Sequence, residues 1–230
     1  MFNFINNAFS KFIASTTKAV GKIKQFGSNV GKHVINASKF LTPQAESNAN
    51  LSGLSATLAK ISNSAYQSNR PTTIDNYNLD KELSDPETAI YYNQSNVIIG
   101  FRGTANVKDL ITDIDIVKGT TNDPRYREAV DIYNKVKSKY PNLNIIATGH
   151  SLGGNLALYL NSLYGIQSES FNAGLGLGFI KSNPNRDKAI LHIIKGDPIS
   201  SLGALSNLGR SRVYNAVTEN PHSMQNYITQ

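Results

Sequence analysis

The stretch Ile145-Ile146-Ala147-Thr148-Gly149-His150-Ser151-Leu152-Gly153-Gly154 constrains this chain more than any other. Its first residues form a short apolar run of the kind that fills a strand buried on both faces of a parallel sheet. After it, Leu152, Leu156, Ala157 and Leu160 recur at the spacing of one helix face. Between strand and helix lies G-x-S-x-G, Gly149 to Gly153. A turn tight enough to lift a serine Oγ clear of a sheet needs strained backbone angles, and bulky neighbours would collide with strand or helix. Strand, sharp turn and helix in this order suit a serine nucleophile. The plain alternative is a strand-to-helix turn with no chemistry.

A nucleophilic serine needs a base, and an acid to orient that base. The chain has four histidines. His33 lies far upstream in a basic segment. His150 adjoins Ser151, so the two side chains should diverge. His192 sits within Ala189-Ile190-Leu191-His192-Ile193-Ile194, which reads as a buried strand where a structural histidine is the expectation. His222 is left, in the loop Asn220-Pro221-His222-Ser223. Asp197, in Lys195-Gly196-Asp197-Pro198, stands where the last buried strand should end, and its plain alternative is a turn aspartate before proline. The resulting order is Ser151, Asp197, His222, that of α/β-hydrolases rather than of chymotrypsin or subtilisin.

Acyl transfer also needs N–H donors for the oxyanion. Leu152 N–H, just after the serine at the positive end of the new helix, is one candidate. The other should come from the end of an earlier strand. Asn96-Val97-Ile98-Ile99-Gly100-Phe101 is such a strand and runs into Arg102-Gly103-Thr104, with Thr104 as donor or simply as a helix N-cap.

Together Phe101-Arg102-Gly103-Thr104, the following Asp109 and Asp113, Gly149-His150-Ser151-Leu152-Gly153-Gly154, Asp197-Pro198 and His222 resemble the class 3, fungal-type lipases, over roughly residues 51 to 227. The resemblance implies a lipid ester substrate, a Ser151–Asp197–His222 triad, and an oxyanion hole from Thr104 and Leu152. Arg102, Gly103, Gly149 and Gly153 then serve as the structural motif. One departure is visible: the family often has tryptophan after the aspartate matching Asp109, where this chain has Leu110. The chain has no tryptophan at all, which bears on a lid over this segment more than on the chemistry.

At 230 residues the chain can bury one sizeable core. The expectation is therefore an α/β-hydrolase domain over 46–230 with a mostly parallel sheet, preceded by an extension over 1–45. There is no cysteine, hence no disulfide framework. No run approaches a membrane span, and the start lacks the pattern of a signal peptide. A cytoplasmic or membrane-peripheral setting is expected; a virion-associated one has only loose analogy behind it. No metal-spaced cluster, paired-carboxylate site or phosphate loop appears, so no metal or cofactor is expected.

Charge is uneven. Residues 1–45 carry Lys11, Lys18, Lys22, Lys24, Lys32 and Lys39 and no acid, six of the formal +7. Phe9, Ile13, Val20, Ile23, Val30, Val34, Ala37 and Leu41 recur at helical spacing, interrupted by Gly21, Gly27 and Gly31. Three readings stand: a helix packed on the core, an amphipathic helix at an anionic membrane surface, or a nucleic-acid contact that has only charge in its favour. The first two weigh alike. A non-enzymatic membrane-disrupting protein, with the hydrolase fold as carrier, is the alternative to an enzyme.

For the rest, helices are expected over 51–68 and 124–140, the second opened by Asp123 and Pro124. Strands are expected over 74–83, 88–92, 168–172 and 212–217. A short helix or lid is expected over 109–117, and a loop around Gly174, Gly176 and Gly178.

Overall fold

In a computed structural model of the chain, residues 49–104, 124–173, 183–197, 200 and 208–228 are described. The basic extension, the 109–117 segment with Asp109, Leu110 and Asp113, Asp123, and the loop at 174–178 lie outside them.

Alternation along the central strands builds three layers. On β4 (Asn96–Phe101), Val97, Ile99 and Phe101 join one apolar cluster with Ile145 and Ala147 of β5 (Asn144–His150). That cluster is closed by Tyr126, Ile132 and Val136 of α2 (Pro124–Lys139) and by Leu156 and Leu160 of α3 (Leu152–Tyr164). Ile98 and Ile146 face the other way, onto Leu58 and Ile61 of α1 (Gly53–Ser64) and Tyr227 of α4 (Gln225–Ile228). A sheet covered on both faces needs no polar side, which is why its strands read as continuous apolar runs.

The sheet adds β1 (Thr73–Ile74), β2 (Tyr77–Leu79), β3 (Thr88–Tyr92), β6 (Gln167–Phe171), β7 (Ala189–Ile194) and β8 (Arg210–Tyr214). Its spatial order is β1 to β8 in sequence. β1 to β4 pair antiparallel, and β4 to β8 run parallel. The mostly parallel α/β sheet expected from sequence is present, and the carboxyl ends of β4, β5, β6 and β7 share one edge.

Three boundaries differ from expectation, each through hydrogen bonds. The first helix stops at Ser64 rather than Ser68, because Arg70 Nε and Nη2 donate to the carbonyls of Ser64 and Ala65 at 3.2 and 3.3 Å. The strand expected over 74–83 is a hairpin turning at Asp75, whose φ is 50°. The Asp75 carboxylate accepts from Thr57 Oγ1 and Lys60 Nζ, both at 2.6 Å. The last strand ends at Tyr214, because Asn226 Oδ1 takes the Val217 and Thr218 N–H groups at 2.9 Å each.

Leu160 and Leu163 share helix α3 but not its surroundings: Leu160 is 0% exposed, Leu163 50%. Leu160→Ala should cost about 2–5 kcal/mol and Leu163→Ala no more than ~0.5 kcal/mol, read as the difference in urea unfolding free energy. Equal losses would contradict the packing described.

Candidate active site

The site begins where β5 ends. Ser151 has φ 57° and ψ −125°, a conformation that non-glycine residues adopt only when their surroundings enforce it. Here the enforcement is close packing. A Cβ at Gly149 would run into the backbone of Gly153, and one at Gly153 into the carbonyl of Phe101. The two motif glycines thus let β5, α3 and the end of β4 converge on the serine. Gly103 does the same from the other side, since its Cβ would lie 2.5 Å from the His150 carbonyl and 3.0 Å from Ser151 Cβ. The turn is tied to β6 by Ser151 N–H donating to the Phe171 carbonyl at 3.1 Å.

Asp197 follows β7 through a turn at Gly196, whose φ is 89°. It is fully buried, and its Oδ2 accepts from Ser200 Oγ at 2.6 Å and His222 Nδ1 at 2.9 Å. A carboxylate can only accept here, so neutral His222 carries its proton on Nδ1 and leaves Nε2 as a base. The buried Ser151 Oγ and His222 Nε2 find no hydrogen-bond partner among the described residues. Leu152 is the first residue of α3, where an N–H has no acceptor within the helix. Thr104 follows Gly103 at the end of the β4 segment.

The histidine loop is held from several directions. His222 N–H donates to Asn220 Oδ1 at 3.0 Å, and Asn226 Nδ2 donates to the Asn220 carbonyl at 2.9 Å. Asn172, at φ 45°, sends Nδ2 to the Pro221 carbonyl at 2.9 Å. Its Oδ1 accepts from Ile194 N–H at 2.9 Å and Tyr227 OH at 2.7 Å. Sequence reasoning missed Asn172, Ser200, Asn226 and Tyr227, because nothing in their local pattern marks them.

The other two described histidines are fully engaged. His192 is buried, with Nδ1 on Tyr214 OH at 2.9 Å and Nε2 on Glu169 Oε2 at 2.8 Å, the structural role expected for it. His150 is set away from catalysis in the sequence, yet it lies at the site, its ring 4.6 Å from that of His222. Its Nε2 meets the His222 carbonyl at 2.7 Å and its Nδ1 meets Tyr66 OH at 2.9 Å. Burial, and then the neighbouring His222, push the His150 imidazole down from its usual 6.5 to about 3. No group of three His, Asp or Glu side chains with metal-ligand geometry occurs among the described residues. A cavity of about 270 Å³ beside Phe101, Glu87 and Arg125 does not include Ser151 or His222.

A strained serine between strand and helix, at the carboxyl edge of a mostly parallel sheet, defines an α/β-hydrolase. Residues 47–194 match the sequence model of a phospholipase-like family, the Tle-like phospholipase domain, and the chain belongs to that family, among the class 3, fungal-type lipases. The match includes Thr104 and Ser151 and ends before Asp197 and His222. "Putative lipase ATG15" of Vanderwaltozyma polyspora is 37% identical over 86 residues, 34% of this chain and 15% of that protein. Its namesake in Yarrowia lipolytica is 45% identical over 51 residues, 22% of this chain and 9% of that one. The chain thus spans at most 15% of the length of these relatives. Among solved structures, the Lip2 lipase of Yarrowia lipolytica has a TM-score of 0.45 at 17% identity, covering 68% of this chain and 77% of its own. A triacylglycerol lipase of Penicillium expansum has a TM-score of 0.46 at 17% identity, covering 78% and 84%.

The state of His150 links the site to acid stability. A histidine held neutral in the fold gains a proton on unfolding once pH is below about 6.5. Its contribution to stability is therefore whole above that pH and is lost as pH falls toward 3. Urea midpoints measured from pH 7 to pH 4 should fall more for the wild type than for His150→Gln. Parallel declines would mean that His150 has no part in acid lability.

Proposed function

We propose that this chain hydrolyses lipid esters by acyl transfer through Ser151. The observation that carries this reading is the pair of buried, unpartnered atoms, Ser151 Oγ and His222 Nε2, beside a 2.9 Å contact between His222 Nδ1 and Asp197 Oδ2. Among the described residues, Arg102 Nε, the Asn155 amide and the Ser168 and Ser170 hydroxyls are also buried without a partner. What sets Ser151 Oγ and His222 Nε2 apart is their chemistry, a hydroxyl on a strained turn and an imidazole nitrogen whose ring is oriented by Asp197. That chemistry suits a site that completes its hydrogen bonds with substrate.

In the proposed sequence Ser151 Oγ attacks the ester carbonyl carbon while His222 Nε2 takes its proton. Asp197 holds the imidazole in the Nδ1–H form and stabilises the imidazolium. The N–H groups of Leu152 and Thr104 hold the tetrahedral oxyanion. As the intermediate collapses, the bond to the alcohol oxygen breaks and His222 protonates that oxygen. Water, deprotonated in turn by His222, attacks the acyl-serine ester, releasing the carboxylic acid and restoring Ser151.

Ser151→Ala should lower hydrolysis of a short nitrophenyl ester by about 10⁴ to 10⁶-fold, and Asp197→Asn by roughly 10⁴-fold, with the thermal midpoint little changed. Undiminished turnover in Ser151→Ala would falsify the assignment. Substrate identity follows from product analysis on vesicles of mixed phospholipid and acylglycerol.

The catalytic unit proposed spans 46–230, and 1–45 are proposed to bring it to an anionic membrane surface as a peripheral protein. Six lysines without an acid support this, since each contributes about 1 kcal/mol near such a surface. Replacing all six by glutamine in the full chain should abolish sedimentation with phosphatidylserine vesicles at low salt. Retained binding would overturn the membrane role, and vesicle leakage that survives Ser151→Ala would favour the non-enzymatic alternative.

A further inference from the structure

Tyr66 and His150 are polar residues at the site to which the chemistry above gives no task. Their hydrogen bonds allow one arrangement only. The His222 carbonyl can only accept, so the contact of 2.7 Å requires the proton of neutral His150 on Nε2. His150 Nδ1 is then an acceptor, and Tyr66 OH must donate to it at 2.9 Å. The remaining lone pairs of that hydroxyl accept the Gly103 N–H at 3.0 Å. Direction is thus fixed along the whole chain: Gly103 N–H to Tyr66 O–H to His150 Nδ1, and His150 Nε2–H to the His222 carbonyl.

We propose that Tyr66 and His150 are positioning residues, a relay that holds the oxyanion strand and the histidine loop in register on the serine turn. The inference rests on the reading of Ser151, His222 and Thr104 given above. What favours positioning over simple packing is where the relay ends. One end is the backbone carbonyl of His222 itself, and the other is the N–H of Gly103, one residue before Thr104. Both lie within one residue of a reacting group.

The surroundings keep the relay in one state. His150 is 5% exposed, and burial together with the neighbouring His222 disfavours a second proton on its ring. Burial pushes the Tyr66 phenol up to about 12, so it remains a donor across the working range. The Arg102 guanidinium lies 6.0 Å from the centre of the Tyr66 ring. At Gly103 a side chain would collide with the Tyr66 hydroxyl, so no other residue fits between them.

The test is a double-mutant cycle on a soluble short-chain nitrophenyl ester, with Ser151→Ala as control. Tyr66→Phe and His150→Ala should each lower kcat by about 10 to 100-fold with KM changed less than twofold, because misplacing reacting groups by about 1 Å costs on the order of 10². The double variant should lose no more than His150→Ala alone, since one chain has been cut twice. His150→Gln extends its amide nitrogen as far as the imidazole Nε2 and keeps a donor for the His222 carbonyl. It should recover activity over His150→Ala, whereas His150→Leu, which refills the volume without a donor for the His222 carbonyl, should not. Wild-type kcat in Tyr66→Phe, multiplicative losses in the double variant, or no rescue by glutamine would each overturn the relay, provided Ser151→Ala is inactive. An active Ser151→Ala would instead overturn the reading beneath it.

Discussion

The contact on which the rest of the site depends is the approach of Gly149, Gly153 and the Phe101 carbonyl to one another. Hydrogen bonds of β4 with β5 fix the strands side by side, with Phe101 opposite Gly149. Only residues without Cβ let α3 start directly over that pair, and only then does Ser151 take its positive φ. The strain at Ser151 is therefore an outcome of packing in three elements at once. A single methyl at either glycine would have to displace backbone, which a close-packed interior accommodates poorly.

Around that turn the sheet gathers its polar residues at one edge and keeps them dry. Asp197, His222, His150 and Asn172 are all buried, and they are tied to one another and to their surroundings through Ser200, Tyr66, Tyr227, the carbonyls of Pro221 and His222 and the Ile194 N–H. Low dielectric strengthens such bonds and penalises any that are missing, so the network resists alternative arrangements. The histidine loop contains no regular structure, yet its backbone carbonyls at Asn220, Pro221 and His222 are each held by a buried side chain. That is how a loop residue can be positioned as firmly as one on a strand.

What the sequence made legible was whatever is written locally. Ile145 to Ala147 and Asn96 to Phe101 announce strands by composition, Pro124 opens its helix, and Gly149 to Gly153 announce the turn. Asp197 and His222 follow from elimination and chain order, and they do lie side by side. Tyr66 was hidden because the helical spacing runs on past Ser64, whereas the helix is ended by Arg70, whose partners appear only in three dimensions. Asn172 and Asn226 act through hydrogen bonds to distant backbone, which no periodicity records. His150 was set aside by a sound argument about direction: adjacent side chains do diverge, and that divergence is what sends the imidazole to Tyr66 and the His222 carbonyl.

Among the described residues two buried histidine–carboxylate pairs occur, and comparing them brings out what favours His222 as the proposed base. His192 and Glu169 meet at 2.8 Å, and His222 and Asp197 at 2.9 Å, so distance does not tell them apart. Nor does burial, since all four side chains are nearly inaccessible. The difference lies in the second nitrogen. His192 spends it on Tyr214, and its ring is stacked on Phe171 at 4.7 Å, so every lone pair and proton is committed to the fold. His222 keeps Nε2 uncommitted on the chain position that follows the parallel strands, near a serine whose own oxygen is equally uncommitted. A base must have somewhere to put a proton, and in this protein only one of the two pairs has left that place open.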